Sequence, residues 1–206
     1  MAARFVGREN VVKRIGPLEG LVGCTVYAEG AATIVHGDET IRVVPPFGLE
    51  HDGEYERVEL APLLDALGHD HMVAVLLVRL GGFAVGVFDG EQLVASKVGA
   101  RFVKGRHKKG GSSSNRFRRR REEQARALIE QAADVAVDVL EPWRARIEFA
   151  AFGGDRAAIA SVLEARPQLG WLKELAIDRF FSVSNPRQEV LEHMPYDLYA
   201  AEVDER

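Results

Sequence analysis

Three apolar runs joined by turn dipeptides, with one long amphipathic helix downstream, constrain the fold of this chain more than any other feature. Met72–Arg79, Gly82–Phe88 and Gln92–Lys97 are β-rich and are joined by Leu80-Gly81-Gly82 and Asp89-Gly90. Asp-Gly between apolar runs is a strong hairpin signal, because it tolerates the positive φ angles of the tight turn. An antiparallel meander of three strands follows. Farther on, Ala125, Leu128, Ile129, Ala132, Val135, Ala136, Val139 and Leu140 recur at the spacing of one helix face, and Pro142 ends the pattern. Extrapolated backward, the stripe reaches Phe117, which would anchor the first turn of that helix on the sheet. Arg146–Phe152 then reads as a strand, Gly153-Gly154-Asp155 as a turn with a helix cap, and Arg156–Ala165 as a helix. Leu175–Val183 reads as a strand broken by Asn185-Pro186, and Arg187–Ala201 as a closing helix. Meander, helix, strand, helix, strand, helix is the order of a mixed, ribonuclease-H-like sheet flanked by helices, α/β (α+β) in class.

The chain ahead of this block has a different grain. Val11, Val12, Ile15 and Leu18 suggest a helix within residues 1–19. Leu21–Tyr27, Ala32–His36 and Thr40–Val44 are short β-like runs, stopped by Pro45-Pro46. We therefore expect a small, mostly β subdomain over 1–68 and a second domain over 69–206. With 47% hydrophobic and 28% charged residues in 206, the chain can bury a real core. The single cysteine, Cys24, excludes an intramolecular disulfide framework and reads as a core thiol. The longest apolar run, Met72–Val78, is far short of the roughly 20 residues a membrane helix needs. A cytoplasmic monomer without membrane attachment is expected.

The charge of the chain is concentrated in one place. Residues 99–121, GARFVKGRHKKGGSSSNRFRRRR, hold ten of the 27 Lys and Arg residues and no acid, against 31 Asp and Glu overall. The protein is an acidic body carrying a basic loop between the third strand of the meander and the long helix. Such localised charge is the footprint of a phosphate-backbone binder, and Lys104, Arg106, His107, Lys108, Lys109, Arg116, Arg118, Arg119, Arg120 and Arg121 are the RNA-binding candidates. Gly110-Gly111 allows close approach of another chain, and Ser112, Ser113, Ser114 and Asn115 are good helix N-caps, which places a helix start at Ser114 or Asn115. Cations in a first helical turn oppose the macrodipole, and four successive arginines surround the helix instead of sharing one face. Folding does not require that arrangement. An external polyanion that envelops the tip does.

Strand, basic loop, Gly-Gly, small polar residues, Arg-Phe and an arginine-rich helix together resemble the Vms-like branch of the release-factor superfamily, in its actinobacterial type. The resemblance rests on Gly105, Lys108, Lys109, Gly110, Gly111, Ser113, Arg116 and Phe117, and coarse topology extends it over roughly residues 70–200. These proteins are similar to the catalytic middle domain of the eukaryotic and archaeal class-one peptide release factor, whose loop carries Gly-Gly-Gln. The resemblance implies a peptidyl-tRNA hydrolase in which 69–206 is the catalytic domain. It would release nascent chains from stalled ribosomes or large subunits, with large-subunit rRNA and peptidyl-tRNA as partners and no cofactor. The catalytic candidates are Gly110, Gly111, Ser112, Ser113, Ser114 and Asn115. The chain departs from the pattern in one respect: no glutamine follows the glycines. A non-catalytic ribosome- or tRNA-binding module with a degenerate loop is therefore the alternative.

Other chemistry is weaker. A two-metal nuclease needs clustered carboxylates, and Asp89 and Asp155 read better as a turn residue and a cap, with Glu122 the third candidate. His69-Asp70-His71 lies in a polar connection with no third ligand nearby, so no metal is expected. Gly105–Gly110 is not a P-loop, because Gly-Ser follows where Lys-Ser/Thr belongs. Trp143 and Trp171 are expected to pack instead of stacking on bases.

Overall fold

A computed structural model describes residues 4–100 and 113–206, with side chains throughout except at 113–118. The chain divides into two compact units, residues 1–70 with 194–206 and residues 71–193.

The first unit is an antiparallel sheet of six strands with helices. Its elements are β1 (Arg4–Gly7), α1 (Arg8–Ile15), β2 (Val22–Ala28), β3 (Ala31–His36), β4 (Glu39–Val44), β5 (Gly53–Arg57) and α2 (Ala61–Gly68). The strand order is β1-β11-β4-β3-β2-β5, where β11 (Ala200–Glu205) comes from the other end of the chain. Alternation along β2 turns Thr25 and Tyr27 into the core with Ile34, Ile41 and Val43. Cys24 therefore points to the other face and is half-buried, not the core thiol its apolar neighbours suggested. The expected helix over 1–19 is shortened to α1, because Arg4–Gly7 instead pairs with Ala200–Val203. The closing helix expected over Arg187–Ala201 is likewise divided into α5 (Gln188–Glu192) and α6 (Met194–Leu198), and the chain then enters β11. Pro195 lacks the N–H needed to continue the earlier turn. Beyond it, β11 fills the place between β1 and β4, burying Ala201 and Val203. The last thirteen residues thus join the first unit, where the sequence placed them in the second.

The second unit follows the expected order. β6 (Met72–Arg79), β7 (Gly82–Asp89) and β8 (Gln92–Ala100) form the meander. After α3 (Ser113–Leu140) come β9 (Phe149–Gly154), α4 (Arg156–Ala165), β10 (Ala176–Phe181) and α5. The sheet order is β10-β9-β6-β7-β8, with β9 parallel to β6 and β10 parallel to β9. This is the mixed ribonuclease-H-like topology. Central β6 is buried at every position from Met72 to Val78, as expected of a strand covered on both faces. Leu128, Ala132, Val135, Ala136 and Leu140 of α3 are buried in the cluster that holds Leu76, Phe83 and Val85. At 28 residues α3 is about 42 Å long, enough to run the whole length of the sheet.

Candidate functional site

The strand directions decide which residues can meet. Register pairs Arg79 with Gly82 and Gly82 with Ala100, while Val78 lies beside Gly154. β6, β8, β9 and β10 therefore all end at one edge of the second unit, which we call the exit edge. α3 returns to the opposite edge, because its last turn leads through Glu141–Trp143 to the start of β9. Ser113 thus begins α3 on the side where β8 ends at Ala100.

Two glycines shape this edge. At Gly99 a Cβ would overlap the ring of Phe83, which is fully buried, so β8 passes the core there only as glycine. At Gly154 φ is +97° and a Cβ would collide with the Val78 carbonyl. Asp155 follows and caps α4, its Oδ1 accepting from the N–H groups of Ala157 (2.9 Å) and Ala158 (3.3 Å).

Of the basic loop, β8 takes 99 and 100 and α3 takes 113–121. Lys104, Arg106, His107, Lys108, Lys109, Gly110, Gly111 and Ser112 lie outside the described residues. Ser113, Ser114, Asn115, Arg116, Phe117 and Arg118 lie on the first turns of α3, which starts at Ser113, a residue earlier than expected. Arg119 and Arg120 are exposed and Arg121 is half-buried. Arg119 Nε lies 3.7 Å from Glu123 Oε1 across one turn, an exposed pair worth about 0.3–0.5 kcal/mol.

The structure also separates the carboxylates that a two-metal nuclease would need together. Asp89 sits opposite Met72 at the entry edge and pairs with Arg146 at 3.5 Å, whereas the Asp155 N–H donates to the Val78 carbonyl at the exit edge. Six residues of β6 part them, about 20 Å, too far to share metal ions. His71 Nδ1 is 2.8 Å from Glu148 Oε2, and Glu148 Oε1 accepts from the Met72 N–H at 2.9 Å. Asp70 pairs with Arg8 at 2.9 Å. Trp171 is buried and donates from Nε1 to Glu141 Oε1 at 2.9 Å, so it packs as expected.

Sequence spacing offers no reason to associate Arg79, Arg156 and Arg187, yet all three reach the exit edge. Arg79 ends β6 and Arg156 opens α4. Arg187 follows Pro186, whose carbonyl approaches Gly82. The only sequence signal is position, an arginine at or just past the end of a strand.

An α/β sheet of ribonuclease-H topology, with a Gly-Gly and arginine-rich segment between its outer strand and longest helix, defines a release-factor type of domain. The chain belongs to the Actinobacteria/chloroflexi VLRF1 release factor family, whose sequence model matches residues 71–204. The match starts at the first residue of the second unit and ends in β11. No curated protein matches the chain. Among solved structures, it is similar to an archaeal translation termination factor, aRF1, at a TM-score of 0.45 and 10% identity, covering 94% of this chain and 73% of that one. It is also similar to another archaeal protein, at a TM-score of 0.42 and 10% identity, covering 95% and 74%. No described helix is long and apolar enough to cross a membrane.

Proposed function

We propose that the protein hydrolyses the ester of peptidyl-tRNA, releasing nascent chains from stalled ribosomes or large subunits. What carries the reading is membership of a release-factor family in a chain whose Gly110-Gly111 segment leads into the arginine-rich start of α3. The reaction adds water across the ester between the peptide carbonyl and the ribose 3′-oxygen of the terminal adenosine, giving a free peptide acid and a 3′-hydroxyl. It needs an ordered water, donors for the developing oxyanion and a proton for the departing oxygen. Backbone N–H groups at Gly110 and Gly111 supply donors that require no side-chain reorganisation. Ser112, Ser113, Ser114 and Asn115 offer the hydroxyls and amide that hold the water. Lys104, Arg106, His107, Lys108, Lys109, Arg116 and Arg118 to Arg121 grip large-subunit rRNA and the acceptor stem.

One observation favours a second reading. Residues 99–121 contain no glutamine, so a module that docks on ribosome or tRNA without turnover retains every other feature. The test is release of peptide from purified stalled complexes by the native protein, Gly111→Ala and a Ser113→Ala/Ser114→Ala pair. Release lost in Gly111→Ala establishes the hydrolase. Binding without any release by the native protein refutes it and leaves the docking module.

A further inference from the structure

The arginines of the second unit divide by edge and by partner. At the entry edge, Arg144 pairs with Glu141 at 3.9 Å and Arg146 with Asp89 at 3.5 Å. On the back of α3, Arg166 clasps Glu130 at 2.9 Å and Asp134 at 2.6 Å. The entry edge is acidic on balance, with Asp89, Glu91, Glu141, Glu148 and Glu174 against Arg144, Arg146 and Lys173.

The exit edge is built differently. Arg79 Nη1 donates to the Val183 carbonyl at 2.9 Å. The Arg156 guanidinium lies 4.1 Å over the ring of Phe180. Arg187 donates from Nε and Nη2 to the Asn185 side-chain oxygen at 2.8 and 2.9 Å, in the amide orientation that satisfies both groups. All three arginines are exposed, and among the described residues none is paired with a carboxylate. Among the described residues, the acids nearest these arginines in sequence are Asp155, whose carboxylate caps α4, and Glu189 in the first turn of α5, and neither forms an ion pair with them. Each guanidinium is thus oriented by a neutral group, a carbonyl, an aromatic face or an amide, and keeps its full charge. Orientation without neutralisation leaves the fork of donors open to a planar or tetrahedral anion. Exposed Ser182 and Ser184 flank Val183, the acceptor for Arg79, and exposed Asn185 holds Arg187, so further donors lie along the same segment.

We propose that Arg79, Arg156 and Arg187 form a second RNA-phosphate contact surface at the exit edge, separate in sequence from the basic loop. The surface rests on the RNA-binding half of the proposed function and extends it from one segment to the end of the sheet. Three oriented cations, Arg79 at the end of β6, Arg156 at the start of α4 and Arg187 just ahead of α5, offer a duplex backbone several contact points at one edge.

The experiment measures binding of a fluorescein-labelled tRNA acceptor-stem hairpin to the full chain across a KCl series. The expected result for Arg79→Gln/Arg156→Gln/Arg187→Gln is a slope of log Kd on log salt shallower by about 2–3, since each phosphate contact contributes about 0.7–0.9. Arg144→Gln/Arg146→Gln, at the entry edge, leaves the slope unchanged. The double Arg156→Gln/Arg187→Gln preserves the Arg79 bond to Val183, so it reports even if the triple variant folds poorly, with a slope shallower by about 1.5. Lysine at the three positions restores the slope. A native slope in the double or triple variant overturns the proposal, as does a failure of lysine to restore it. Peptide release reads a separate property: a native protein that binds with a steep slope but releases nothing sinks the hydrolase and leaves this surface standing.

Discussion

Gly99→Ala tests how tightly the core dictates the path of β8 into the basic segment. Register places Gly99 opposite Phe83. Phe83 is fully buried in the cluster with Leu76, Val85 and Leu128, so its ring has no free volume to enter. An alanine Cβ would approach Phe83 Cζ and Cε1 far inside van der Waals contact, and either the ring or the strand must move. Overpacking of this kind costs about 1–3 kcal/mol. The smaller entropy of alanine in the unfolded chain offsets about 0.5–1 kcal/mol, leaving a net loss of about 0.5–2 kcal/mol. With a urea slope of about 2 kcal/mol/M, the midpoint falls by roughly 0.3–1 M. The decisive measurement is a double-mutant cycle with Phe83→Leu. Removing the ring destabilises on its own, but it also removes the clash, so the double variant should be more stable than the sum of the single losses by about 1 kcal/mol. Peptide release should fall in Gly99→Ala and partly recover in the double variant. If the two substitutions add, the Phe83 ring does not hold position 99 to glycine.

Two further outcomes are expected. Asp155→Ala leaves the N–H groups of Ala157 and Ala158 without their acceptor and should cost about 1 kcal/mol in thermal unfolding, while Asp155→Asn retains most of the cap; equal losses in both would contradict a capping role. Burial pushes the Tyr27 phenol up to about 12 from 10, so the folded state holds that proton longer than the unfolded one. The stabilisation is complete below pH 10 and is lost as pH rises toward 12, and Tyr27→Phe should flatten that decline. Absorbance at 295 nm checks it directly, since one of the four tyrosines should ionise last.

The meander, α3, α4 and the strand between them were legible because their determinants are local. Asp89-Gly90 specifies a turn, Leu128 to Leu140 lie on one face at helical spacing, and Asp155 caps the helix it precedes. The concentration of charge in 99–121 was equally plain, since composition needs no fold to be read. By itself, then, the sequence determined the second unit's order of elements, its amphipathic faces and the segment in which basic charge is concentrated. Tertiary structure alone decided the rest. Ala200–Glu205 carries acids and small residues that suit a surface helix, and becomes a strand only because β1 and β4 leave an unfilled place between them, nearly the full chain away. Glu148 holds His71 across 77 positions. Arg79, Arg156 and Arg187 share an edge only because β6, β9 and β10 run parallel. Alternation along a strand marks its buried face, but which distant strand it pairs with follows from hydrogen-bond ladders and shared burial, and that choice leaves no trace in either strand's own pattern.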